Sequence, residues 1–315
     1  MDAKNTKTIV IVLLLLANMF FVYNIISLKI SSENIPSEMI DDAANILAKN
    51  GFIADKSKIP ARKPAAVLYE GIYSEAALAD IVKDFSGITD EEFGEAVDIY
   101  VPAGISYTAG DYRFIFSETD YFNISISESL YIGSEETEAK EEEIRESLSA
   151  VAGNGQDKIN DGAARKTEKI IRDFIRKRDN QDVRLNFDVI KTERSGDLEY
   201  VWINQTADGV RVDSHIVYVE IRDGAVKYFS GRWYFGELTI VARRPPLLDS
   251  VNILFKSAEA DGNIIQGGDR LAEMETEYHV MRHGAGGEFY IVPSWRLVFE
   301  SGRTFSYNMI TGSRY

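Results

Sequence analysis

The sequence predicts an α+β protein, with one N-terminal transmembrane helix followed by two or three lobes of antiparallel sheet packed with helices. Three observations carry that prediction. Thr8 to Leu28 is an uncharged, strongly apolar run that includes Leu13-Leu14-Leu15-Leu16. Beyond it, stretches with apolar residues at helical spacing alternate with stretches of period two. Asp208-Gly209 and Asp223-Gly224 each separate two alternating runs, the best short-range signal for a tight hairpin.

Composition bounds the rest. A length of 315 residues with 45% hydrophobic and 27% charged residues is globular and suits about two folded units. Cysteine is absent, which excludes disulfides, thiolate metal sites and cysteine nucleophiles. A formal net charge of −15 argues against a nucleic-acid partner held by phosphate contacts.

At ~1.5 Å per residue, Thr8–Leu28 would span ~31 Å, the thickness of a hydrocarbon core. A cleaved signal peptide would have an apolar region of about 7–15 residues and a small-x-small cleavage site. No such pair occurs between Ile25 and Asn34. The reading is therefore an uncleaved single-pass anchor in the cell membrane. Lys4 and Lys7 place residues 1–7 in the cytoplasm and everything after the 8–28 span outside. The first thirty residues hold three Lys and one Asp, so the remainder carries −17 and is repelled by anionic lipid. Asn18 lies at the midpoint of the span and Asn24 nearer its outer end. A membrane Asn can hydrogen-bond to a neighbouring helix for ~0.6–2 kcal/mol, so both are candidate partner-binding residues. The alternative is a tolerated polar residue without a partner.

Residues 31–133 form a first extracytoplasmic α+β lobe. Ser37 is placed to cap a helix whose apolar positions Met39, Ala43, Ile46 and Leu47 share one face, with Gly51 just past its end. Ala66–Tyr73 reads as a strand, Ser74–Phe85 as an amphipathic helix stopped near Gly87, and Val97–Val101, Tyr112–Phe116 and Tyr121–Ile126 as short strands. Residues 134–162 are an acidic helix, with Ile144, Leu148 and Val151 as its one apolar stripe, and a Gly-rich connector.

Residues 163–240 form a second lobe. A helix over Ala163–Arg178 turns Ile170, Ile171, Phe174 and Ile175 inward, and a meander follows through Val183–Val189, Leu198–Asn204, Val210–Ile221 and Val226–Phe235. Residues 245–315 form the C-terminal lobe: a helix over Leu247–Ala260, a strand at Tyr278–Arg282, a turn at Gly284–Gly287, and a hairpin from Phe289–Phe299 and Thr304–Ile310.

Catalytic and metal-binding patterns are not apparent. G-x-S-x-G, S-x-x-K, H-E-x-x-H and a P-loop do not occur. His279 and His283 would suit a metal on a helix, but on a strand four residues separate them by ~13 Å. Asp157–Glu168 mimics part of a calcium loop, yet Ile159 and Arg165 occupy liganding positions. No cofactor is expected. The aromatic run Trp233-Tyr234-Phe235 reads as core, with an exposed peptide- or glycan-binding strip as the alternative. Fifty carboxylates leave a cell-wall hydrolase built on paired acids as the last-ranked reading.

Met1-Asp2, Thr6-Lys7-Thr8-Ile9-Val10-Ile11 and Asn18 with Val22-Tyr23-Asn24 resemble the start of YycI-type proteins. With YycH (the pair is also called WalI and WalH), these are single-pass regulators of an essential sensor histidine kinase in the Gram-positive cell envelope. Family members commonly carry Trp at the third position, where this chain has Ala3. Asp208-Gly209-Val210-Arg211-Val212, Val217–Ile221, Asp223-Gly224, Pro293-x-Trp295, Gly302, Tyr307-Asn308 and Thr311-Gly312 resemble the same family and PepSY/YpeB-like lobes. The resemblance implies a two-component-system regulatory protein without catalysis, with no catalytic, cofactor or metal residues. Its partners would be the transmembrane helices and sensor domain of a histidine kinase, together with a YycH-like companion. A PepSY-like module binding peptides or a protease is the alternative.

Overall fold

The computed structural model describes residues 33–49, 53–72, 99–101, 104–117, 123–128, 161–176, 185–234, 238–243, 245–261, 269–283 and 288–315, with single positions at 51 and between 79 and 91. The chain is mixed α+β, and its described strands form a mostly antiparallel hydrogen-bonded set of fourteen. Contacts divide it into two compact units. One joins the described residues up to Ala66 with Pro246–Glu275 and Trp295–Tyr315; the other comprises Val67–Pro245 and Thr276–Ser294.

In the first unit, helix α1 (Ser37–Lys49) ends where expected, with Gly51 at φ 82°. Its buried face differs from the one periodicity suggested: Ile40, Ala43, Ala44 and Leu47 are inside, whereas Met39 and Ile46 are exposed. Apolar residues surround more of this helix than one packed face requires, so spacing alone selects the wrong stripe. A two-residue strand β1 (Ile53–Ala54) and a 3₁₀ turn (Lys56–Lys58) capped by Asp55 follow.

Helix α3 (Ser250–Asp261) starts three residues later than predicted. Asp249 fixes that start by accepting from the Asn252 backbone N–H at 2.9 Å. Ser250 Oγ donates to the Pro60 carbonyl at 2.7 Å, tying α3 to the segment after the 3₁₀ turn. The core between them contains Leu47, Ile59, Ile253, Leu254, Trp295, Leu297, Tyr307 and Met309. Each large aliphatic side chain removed from water there contributes roughly 1.5–3 kcal/mol. Trp295 satisfies its ring N–H on the Leu248 carbonyl at 3.0 Å.

The second unit is dominated by an antiparallel sheet. Strands β7 (Leu185–Ser195), β8 (Leu198–Ala207), β9 (Val210–Arg222) and β10 (Ala225–Arg232) form the expected meander. Both Asp-Gly turns have positive φ at the two central positions, 49° and 76° at Asp208-Gly209 and 53° and 75° at Asp223-Gly224. That is the turn geometry whose twist matches the flanking strands. The sheet continues from β10 through β6 (Asn123–Glu128), β5 (Tyr112–Ser117) and β4 (Gly104–Ala109) to β3 (Ile99–Val101). β4 lies outside the predicted strands, because Gly104 and Ser106 dilute its alternation.

Helix α2 (Asp161–Arg176) begins inside the stretch expected to be a connector. It covers one sheet face, with Ile171 and Ile175 buried, Ile170 and Phe174 half-buried, and Phe174 5.7 Å from Phe229. The helix expected before Gly87 has helical residues at 79, 80, 82, 83 and 86, and Gly87 donates to the Lys83 carbonyl at 2.7 Å.

Strand β2 (Leu68–Ile72) lies between β11 (Thr239–Ala242) and the first part of β13 (Glu288–Phe299). β12 (Arg270–His283) is far longer than the predicted Tyr278–Arg282. β12 and β13 each supply residues to both units, and β14 (Thr304–Asn308) pairs with β13. The Gly284–Gly287 turn lies outside the described residues.

Candidate functional site

The α2-covered face of the meander is apolar: Val201, Ile203, Val217, Val219 and Phe229 are buried. The register puts Tyr200, Trp202, Tyr218, Glu220 and Tyr228 on the opposite face. A bulge between Val189 and Lys191 on β7 restores alignment, so that Lys191 lies opposite Trp202.

On that second face the rings form one cluster around Tyr218. Tyr200 stacks on it at 6.1 Å, while Trp202 and Tyr228 meet it edge-on at 5.5 and 6.0 Å. The Lys191 ammonium sits 4.8 Å from the centre of the Trp202 ring, a cation–π contact. Tyr218 donates its hydroxyl to Glu220 at 2.7 Å, and both residues are buried. Burial, and then the neighbouring Glu220 carboxylate, push the Tyr218 phenol far above its ordinary range. The hydroxyl therefore stays protonated and acts as a donor, not as a base or nucleophile. Asn204, two residues beyond Trp202 on β8, is also buried, and among the described residues neither its amide oxygen nor its amide nitrogen has a hydrogen-bond partner.

A second polar feature lies at the end of the meander, on the α2 side. A cleft of about 180 Å³ is lined by Lys166, Arg194, Asp197, Glu199 and Asp223. Three of these charges are paired: Arg194 with Glu199 at 3.3 Å, and Asp197 with Arg222 at 3.2 Å. Thr167 on α2 also donates to Glu199. This arrangement ties α2 to the hairpin ends by ion pairs and hydrogen bonds.

A third group joins strands from distant parts of the sequence. Tyr69 donates its hydroxyl to Asp208 in the β8–β9 turn, and Tyr278 accepts from the Val67 backbone N–H at 3.2 Å. The two rings meet edge-on at 5.7 Å, and burial raises the Tyr278 phenol. None of these aromatic partnerships was apparent from the sequence, because they depend on registers between strands that spacing does not encode.

Asn18, Asn24 and the whole Thr8–Leu28 run lie outside the described residues, as does the acidic stretch 135–146. Among the described residues, no helix is long and apolar enough to cross a membrane. His279 and His283 both lie on strand β12, as their strand reading requires, and His215 lies on β9. Asp161, Gly162, Arg165 and Glu168 of the calcium-like stretch belong to helix α2, a conformation that cannot wrap an ion as a calcium loop does. Trp233 and Tyr234 are core residues, each 1% exposed. Asn204, in the sequon-like Asn204-Gln205-Thr206, is closed to modification in the folded chain by its burial.

No family model matches the chain, and no curated protein matches it. Among solved structures it is similar to an uncharacterized protein from Eubacterium rectale ATCC 33656, at 9% identity and a TM-score of 0.38, over 82% of this chain and 87% of that one. The likeness is distant.

Proposed function

We propose that this chain is a membrane-anchored extracytoplasmic protein of the YycI/YycH-like kind, which associates with a sensor histidine kinase and modulates its signalling without catalysis. The observation that carries the reading is the uncharged Thr8–Leu28 run, flanked by Lys4 and Lys7, with Asn18 at mid-depth. A lone span needs little polarity to cross lipid, so a central amide is best accounted for by a hydrogen bond to a neighbouring helix. The acidic body after the span, carrying −17, would stand off the lipid surface and meet the kinase's sensor domain. A YycH-like companion would share the assembly.

The test is co-purification of the full chain with a histidine kinase from native membranes. Wild type should recover the kinase, and Asn18→Leu should recover several-fold less. Equal recovery with Asn18→Leu and with an exchanged anchor would remove the membrane half of the reading. Absence of any kinase would end it.

A second reading follows from the helix-backed meander, which supports a PepSY/YpeB-like module binding a peptide or protease. Saturable inhibition of a secreted protease by the chain, without kinase association, would favour it over the first.

A further inference from the structure

The cleft between α2 and the ends of the meander hairpins holds two opposite charges that do not meet. Lys166 on α2 and Asp223 in the β9–β10 turn both line it. Both are exposed, and among the described residues neither side chain has an ion-pair or hydrogen-bond partner. The other charges there are committed. Glu199 accepts from Thr167 with one carboxylate oxygen and from Arg194 with the other, while Asp197 pairs with Arg222. Ile170 lies one turn after Lys166 on the same side of the helix, and with Leu198 and Ile221 it lines the cleft. Ile221 is buried; Ile170 and Leu198 are half-buried. The cleft thus combines one uncommitted ammonium, one uncommitted carboxylate and an apolar wall.

Charge and size limit what can fill it. An anion would satisfy Lys166 but face Asp223 and Asp197; a cation would satisfy Asp223 but face Lys166 and Arg194. A neutral apolar molecule would take water from both charges and pair neither. A zwitterion pairs both at once, through charge-assisted hydrogen bonds that are roughly twice as strong as neutral ones. The volume, about 180 Å³, lies below the roughly 300–1,000 Å³ of sites for drug-sized ligands, so the occupant is small.

We infer that this cleft binds a free α-amino acid with an apolar side chain. Its carboxylate meets Lys166, its ammonium meets Asp223, and its side chain lies against Ile170, Leu198 and Ile221. Every residue invoked belongs to the second unit, so the site is independent of the membrane anchor and of any kinase.

The experiment is isothermal titration of the full chain in detergent, with L-leucine as the probe. Leucine should give a saturable isotherm in the micromolar-to-millimolar range. N-acetyl-L-leucine has no ammonium and L-leucinamide no carboxylate, and each should bind at least tenfold more weakly. Glycine, without a side chain for the apolar wall, should bind several-fold more weakly. Lys166→Met should weaken leucine at least tenfold and leave leucinamide as it was. Asp223→Asn should weaken leucine as much and leave N-acetyl-leucine as it was. Asn tolerates the φ of 53° at this position, and both residues are exposed, so each variant should keep the wild-type thermal transition. Absence of a saturable signal with millimolar leucine overturns the inference. So does N-acetyl-leucine or leucinamide binding wild type as tightly as leucine, which would make the cleft a site for one charge only. These arms use the unaltered chain, so the inference can fail even if a variant does not fold. Leucine binding unchanged in both folded variants would place the ligand elsewhere and overturn it as well.

Discussion

Gln205 shows how one side chain can complete a sheet. It is fully buried, and its amide both donates to the Tyr234 carbonyl at 2.6 Å and accepts from the Tyr234 N–H at 3.0 Å. It thus pairs with a backbone segment just beyond the end of β10, as another peptide unit would. Gln205→Leu would leave a donor and an acceptor unpaired inside, at roughly 1–3 kcal/mol each. Denaturant titration should show a loss of about 2–4 kcal/mol; a loss below half a kilocalorie would mean that water replaces the amide. Asp55 makes a smaller, pH-dependent contribution. Hydrogen bonds from the Ser57 hydroxyl and then from its backbone N–H hold the Asp55 carboxyl below its ordinary 3.8. Folding therefore favours the ionised form, so the contribution is complete above the unfolded value and disappears as pH falls through the lower folded one. The stability gap between wild type and Asp55→Ala should narrow as pH is lowered through about 4 and below. A gap that widens with acid would refute this.

At the scale of elements, the legible parts of the sequence were those whose signals are local. The meander could be read because Asp208-Gly209 and Asp223-Gly224 impose a turn by their own backbone preferences. Gly224 at φ 75° has open space around it, so Gly224→Ala tests conformation without a clash. It should cost about 1–2 kcal/mol, the price of a left-handed Cβ, in equilibrium unfolding. An unchanged midpoint would show that the turn can re-form in another type. Helix α3 was also found, but its start was not, since Asp249 and the Ser250–Pro60 contact override the apolar pattern at Leu247 and Leu248. In α1 the helix was legible and its buried face was not. Met39 and Ile46 fit an apolar period as well as Ile40 and Ala44 do, and only packing against α3 and β1 decides between them. The aromatic cluster on the meander was hidden for a related reason. Lys191 meets Trp202 only because a bulge shifts the β7 register, which residue types alone do not announce.

At the scale of the whole molecule, the organisation is set by pairings between distant segments. β6 joins β10 across about one hundred residues, and β1 pairs in parallel with β12 through Ile53↔Arg270 and Ala54↔Leu271. The first unit therefore closes only after Trp295–Tyr315 has joined the described residues up to Ala66. Tyr307 and Met309 are fully buried in the same core as Ala43, Leu47, Ile253 and Trp295. The Leu248 N–H also donates to the Met309 carbonyl at 2.7 Å, so this segment supports the entrance to α3. Deleting residues 304–315 would remove two large core side chains and that hydrogen bond. Each such side chain is worth roughly 2–5 kcal/mol when truncated, a sum comparable with the stability of an ordinary domain. Hydrogen exchange of the truncated chain should therefore show lost protection in α1 and α3, more than thirty residues away along the chain, while β7–β10 keep theirs. Retained protection in α1 would mean that its unit folds without the C-terminal hairpin. Uniform loss over β7–β10 as well would mean that the two units fold as one.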